Sequence, residues 1–424
     1  MQAATGNRAA ATPIDGRVIP AMKGIMNRAN TMPDTAAPAA ARPPREHFWD
    51  TLRALLMLLG IPYHVALSYM VGRQWIVKSG EGVTGFIELA RFISLFRMPA
   101  FFLIAGYFAA MLLARRAPGT WLEGRFRRLA IPFLTSIIVL VPVMNWFCEI
   151  SNLPFAQAVS SWIDNSSKSG GYWVRHLWFI VVLLYFCCAV ALLAAVKRDF
   201  AQARLPGWAD RLVGRHMVLA LLILATIVGL WEALAVEAFY IWGFNTNLIQ
   251  QILRIDQAII YAPWFAMGCF LQRSREAVAR VMRYSHLTAV LAVVAVTLAI
   301  ITKEQVHPAL FRFIETFAAL LMTQLLISLA AHLFDRPIPS VQRFTAASFV
   351  IYLFHLPLIC GLVFAGQYVP IPPLIKALAV MGLTLAISYG AWLVIERSRP
   401  LALLFDGGMR PTPVASSQPD ATAR

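Results

Sequence analysis

Residues 51–71 read TLRALLMLLGIPYHVALSYMV, an apolar run carrying Arg53 near its start and His64 in its middle part. About 20 apolar residues in a helix cross the hydrocarbon layer of a bilayer, so this run predicts a transmembrane helix with two ionisable groups inside it. Such groups are costly in hydrocarbon and point to function. Eleven steps of about 100° bring His64 back to within roughly 20° of Arg53, and a rise of about 1.5 Å per residue separates them by roughly 16 Å along one stripe. Asp50 and Gly60 fall close to that stripe, and Pro62 removes a backbone bond beside His64 and predicts a kink. Taken alone, Arg53 fits a helix-end arginine reaching to lipid phosphate as well as it fits a functional one.

The whole chain follows this first run. Of its 424 residues 59% are hydrophobic and 14% charged, with a mean hydropathy of +0.65. A soluble fold has no use for so much apolar surface, so the expected class is an all-α polytopic membrane bundle. About ten transmembrane helices are expected, at roughly 50–71, 86–113, 129–148, 174–196, 216–236, 256–272, 285–302, 312–334, 345–365 and 374–395, the sixth being short. A net charge of +16 suggests nucleic acid in a soluble protein. Here the basic residues gather in alternate short loops, such as Arg115 to Arg128 and Arg273 to Arg283, which excludes a nucleic-acid partner and puts both termini in the cytoplasm. Residues 1–46 and 401–424 read as disordered cytoplasmic tails around a membrane domain at 47–400. The five cysteines have no metal-ligand company and read as packing residues, and no metal site is expected.

Three further groups stand out. Arg97, in FRMPAFFLIAGY (96–107), lies mid-span and keeps its proton, so it requires an anionic partner: Glu88, Glu315 or a substrate. Arg125 and Arg128 share one face of a short helix ahead of Pro132, an arrangement that suits phosphate. The outer half of the bundle offers Trp162, Asp164, Asn165, Tyr172, Trp173, His176 and Trp178, then Trp231, Glu232, Glu237, Tyr240, Trp242 and Asn245. Aromatic faces beside carboxylates and amides fit a pyranose, and equally an interfacial aromatic belt. His355 is a mid-span histidine that reads either as functional or as packed against its neighbours.

The stretch FWDTLRALLMLLGIPYH (48–64), with FRMPAFFLIAGY (96–107), RFRR (125–128), HLWF (176–179) and YLFHLP (352–357), resembles the integral-membrane acyltransferase-3 family over roughly residues 46–400. The resemblance implies a ten-helix core, a catalytic Arg–ten residues–His motif on Arg53 and His64, and an Arg-two-Arg loop motif on Arg125 and Arg128. It further implies acyl-CoA as donor substrate, with no permanently bound cofactor. The esterase-like domain carried by some relatives is missing from the sequence as it stands. That favours the glucan-modifying branch, in which succinyl-CoA and a hydroxyl of a periplasmic glucan are the expected substrates. On this reading Arg125 and Arg128 bind the CoA phosphates, and Arg97 meets the free carboxylate of a succinyl group. His176 and Trp178, with His355, contribute to substrate binding. His64 acts as general base or through an acyl-imidazole, two alternatives that the residues leave open. The expected location is the bacterial inner membrane. Rival classes are a glycan or lipid flippase and a structural subunit; the two halves show no internal repeat of the kind many transporters have.

Overall fold

The computed structural model describes residues 47–408 except 73, 74, 169, 201, 335 and 337. The tail expected at 1–46, most of that expected from 401 onward, and the loop charge Arg73 lie outside the described residues.

The described residues form helices without a strand, as hydrocarbon requires of a chain that must satisfy its own backbone. They run α1 His47–Leu58, α2 Gly60–Ser68, α3 Phe86–Leu113, α4 Pro118–Asn152, α5 Phe155–Lys168, α6 Gly171–Val174, α7 Trp178–Val196 and α8 Gly207–Arg215. The second half comprises α9 Met217–Ile241, α10 Ile255–Leu271, α11 Arg275–Val281, α12 His286–Thr302, α13 Pro308–Leu333, α14 Pro339–Gly366, α15 Pro373–Arg397 and α16 Arg399–Asp406.

Among the described residues eight spans are long and apolar enough to cross a membrane: α1 with α2, α3, α4, α6 through α7, α9, α13, α14 and α15. The pair α11 and α12, bent by 72°, makes a ninth if it is one span, and α10, where the short sixth span is expected, is a shorter apolar helix of 17 residues. Each expected span is thus a helix in the structure. The differences are at the ends. α4 starts at Pro118, so Arg125 and Arg128 occupy the first turns of one helix that continues through Pro132 and Pro142, rather than a separate short helix. α16 runs to Asp406, into the stretch expected as tail.

Helix breaks have local causes. Pro62 lacks the N–H that would bond the Leu58 carbonyl, and the first span breaks at Leu59 between α1 and α2. Ser274 and Ser285 cap α11 and α12 by accepting the Ala277 and Thr288 amides, at 2.9 and 3.4 Å, which fixes where the bent pair restarts. Pro263 frees the Ile259 carbonyl, and the Trp231 indole donates to it at 2.8 Å.

Apolar side chains gain little by leaving lipid for one another, so close packing through small residues holds membrane helices together. The most extensive helix contact is α3 on α10. A Cβ on Gly106 would stand 2.0 Å from the Phe265 carbonyl oxygen, and one on Gly268 would stand 1.8 Å from that of Leu103. The two backbones therefore touch, and Cys269 Sγ donates to the Gly106 carbonyl at 3.3 Å. Gly268→Ala is expected to cost about 3 kcal/mol, at the upper end of overpacking penalties. The check is thermal unfolding of the purified protein beside Gly382→Ala, a helical glycine with open space around it, where stability should hold or rise slightly.

Candidate active site

α3 and α10, locked by that glycine contact, carry Arg97 and Tyr261 to one side of a cavity of about 380 Å³. α2 supplies Tyr63 and His64, α14 supplies Tyr352 and His355, and the segment entering α7 supplies Arg175, His176 and Trp178. Trp75, from the loop after α2, stacks on His64 with ring centroids 5.8 Å apart. A second, almost wholly apolar cavity of about 230 Å³ between α9, α10 and α13 is lined by no ionisable side chain, so the chemistry belongs to the first.

Three histidines converge there. His64 and His355 have ring centroids 5.2 Å apart, and His355 and His176 5.5 Å. The Tyr352 hydroxyl donates to the His176 carbonyl at 2.7 Å, tying α14 to the entrance of α7. His355 Nδ1 lies 2.5 Å from the Tyr352 carbonyl. A carbonyl only accepts, so Nδ1 carries the proton and Nε2 of the neutral ring holds a free lone pair. Pro357 releases the Leu353 carbonyl, which lies beside the His176 ring. Among the described residues, His64 Nδ1, His355 Nε2 and both His176 nitrogens are buried without a hydrogen bond of good geometry. Buried polar atoms are normally paired, so a cluster of orphans around a cavity marks a place for an occupant.

Arg97 completes the cluster. Neither Glu88 nor Glu315 pairs with it: Glu88 is exposed, and among the described residues no carboxylate lies within ion-pair distance. Its guanidinium instead covers the Tyr63 ring, 4.7 Å from the centroid, with Nε unpartnered. Gly60 makes room for this. A Cβ there would stand 3.0 Å from Arg97 Nη1 and 3.1 Å from His355 Nε2, so the bare backbone of α2 lets the cation and the imidazole meet beside His64.

Arg53 lies about 16 Å along the helix from His64. It pairs with Asp50 at 3.4 Å and covers the Phe108 ring at 5.5 Å. It belongs with another group: the charges of Arg53, Arg116 and Arg128 all act on Arg125, whose guanidinium stacks over Trp121 at 5.4 Å. α16 closes against the same part of α4, with Gly407 pressed on the Arg127 and Arg128 backbone. Burial there raises the Asp406 carboxyl above the usual range, opposed by the nearby Arg128 charge. The structure thus gathers Arg97, His64, His176, Trp178 and His355 at one place, and Arg53, Arg125 and Arg128 at another.

The outer aromatic groups divide. Tyr172 and Asn165 both donate to Glu149, at 2.9 and 3.0 Å, next to the cavity segment. The second set is elsewhere: Glu232 accepts from Trp264 at 2.6 Å, Glu237 pairs with Arg312 at 2.9 Å, and Trp242 is exposed. Sequence reasoning passes over two residues of the cavity lining, Arg175 beside His176 and Tyr261 among many aromatics, and over Arg254, whose guanidinium covers the Trp178 ring.

An acyltransferase-domain family model matches residues 46–393, most of the chain and all of both clusters. The chain belongs to this acyltransferase family. Similar proteins include glucans biosynthesis protein C of Escherichia coli O81, 27% identical over 339 residues, covering 77% of this chain and 84% of the relative. The protein of that name from Salmonella paratyphi B is 27% identical over 341 residues, with the same coverage. No solved structure matches the chain. This is therefore a multi-pass membrane acyltransferase, and its histidine cluster is the chemically equipped cavity on which an acyl-transfer reading can be built.

Proposed function

We propose that this acyltransferase moves an acyl group, succinyl by preference, from acyl-CoA to a hydroxyl of a periplasmic glucan across the bacterial inner membrane. The observation that carries the reading is the pairing of an uncompensated arginine with free imidazole nitrogens in one cavity, and a separate arginine cluster at the far end of α1. The CoA phosphates bind Arg125 and Arg128, with Arg53 nearby, on the side that loop charge makes cytoplasmic. The pantetheine arm spans the roughly 16 Å to His64. His64 takes the proton from the acceptor hydroxyl as its oxygen attacks the thioester carbonyl. The C–O bond forms, the C–S bond breaks, and the proton passes to the departing CoA sulfur. Arg97 holds the distal carboxylate of a succinyl group, and Trp178 offers a face to the sugar.

The experiment uses purified protein in vesicles, with succinyl-CoA inside and a β-glucan outside. Free thiol and glucan ester should appear in equal amounts. Unmodified glucan crossing the bilayer with no ester would replace transfer by transport. The double variant Arg125→Gln/Arg128→Gln is expected to raise KM for succinyl-CoA about 30- to 100-fold, as two charge-assisted contacts require, with kcat much less affected. An unchanged KM would remove the phosphate assignment.

A further inference from the structure

Arg175 and Arg254 share an oddity. They are the two non-glycine residues among those described whose φ is positive, 42° and 55°. One is in the cavity lining and the other touches a residue of that lining. Arg175 lines the cavity, its Nε donating to Asn145 Oδ1 at 3.0 Å and its guanidinium 4.6 Å from the Tyr172 ring centroid. Arg254 places its guanidinium 5.8 Å from the centroid of Trp178, whose other neighbour in the stack is Tyr261, at 5.6 Å. Its Nε is buried and unpartnered. Neither arginine has an ion pair among the described residues: Glu149 takes up Tyr172, Ser161 and Asn165, and Asp256 accepts from Gln257. Asn145, which holds Arg175, is itself 1% exposed, so Arg175 is anchored inward and not extended to lipid phosphate.

Two guanidiniums on aromatic faces, neither in an ion pair among the described residues, form a receptor for an anion attached to a sugar-like ring. The donor's phosphates do not supply that anion, and its succinyl carboxylate is assigned to Arg97. Asn145 is 20 residues along α4 from Arg125, or about 30 Å, so phosphates held at Arg125 are a membrane's width away. Resting on the acyl-transfer reading, we propose that Arg175 and Arg254 form an anion subsite for the acceptor, and that the acceptor is a glycan already bearing a phosphate or carboxylate.

The test places the parent protein in discs of phosphatidylcholine. It measures, without donor, the heat of binding of a β-glucan oligosaccharide carrying one phosphomonoester against its neutral counterpart. The charged glycan should bind at least about tenfold tighter. Arg254→Asn, which suits the left-handed backbone, and Arg175→Gln should each remove most of that preference, and Arg254→Lys should retain part of it. Equal binding of the two glycans, or a preference that survives Arg254→Asn, overturns the subsite. Loss of the preference when phosphatidylglycerol is added to the discs assigns the arginines to a lipid headgroup and overturns the acceptor assignment. A preference that persists in a protein making no ester would leave the subsite standing and count against acyl transfer.

Discussion

His64→Gln is expected to lower kcat for ester formation by about 10³, within the 10²–10⁴ that a positioned general base contributes, while acyl-CoA still binds. Glutamine keeps much of the side-chain volume next to Trp75 and His355 but accepts no proton from a hydroxyl. The measurement is single-turnover ester formation in vesicles, with succinyl-CoA binding followed separately. His355→Gln should do less, because the His355 Nδ1 proton is committed to the Tyr352 carbonyl and its ring neighbours rather than replaces His64. Parent-like turnover by His64→Gln would end the assignment. A quenched reaction that traps acyl on His64 would replace proton abstraction with a covalent relay.

Arg97→Gln is the second large effect. A cation that meets no carboxylate of the protein is left to meet one of the substrate, and a buried charge-assisted pair lost on one side costs about 2–4 kcal/mol. That predicts a fall of about 10²–10³ in kcat/KM for succinyl-CoA, whereas acetyl-CoA, with no distal carboxylate, should change only a few-fold. The ratio of the two donors is therefore the readout. Equal losses with both would make Arg97 a general support of the cavity. Its stacking on Tyr63 and its contact with the Gly60 face predict that the variant still folds.

Much of this was legible in the residues. Apolar runs bounded by charge located every span, because the bilayer imposes one length on all of them. The unusual cost of His64, Arg97 and His355 in hydrocarbon singles out three of the five histidines and arginines that line one cavity, Arg175 and His176 being the others. Of the partners the sequence offers Arg97, Glu88 and Glu315 fall away, since a sequence gives their charges but not their directions. Arg53 and His64 share a helical stripe, yet one stripe serves two places, and the packing groups Arg53 with Arg125. Arg175 and Arg254 stayed hidden for a different reason. A left-handed backbone announces itself in sequence through glycine or asparagine, and arginine gives no such sign.

Those two backbone conformations have a consequence for how such a protein drifts. Each costs of the order of 1–3 kcal/mol, and glycine at either position would relieve most of it. A lineage or a laboratory screen rewarded only for heat resistance would therefore discard the arginines first, and would keep a sound membrane bundle that had lost its hold on a charged ligand. On the proposed subsite, their presence at both positions is a cost in folding that binding of the ligand repays.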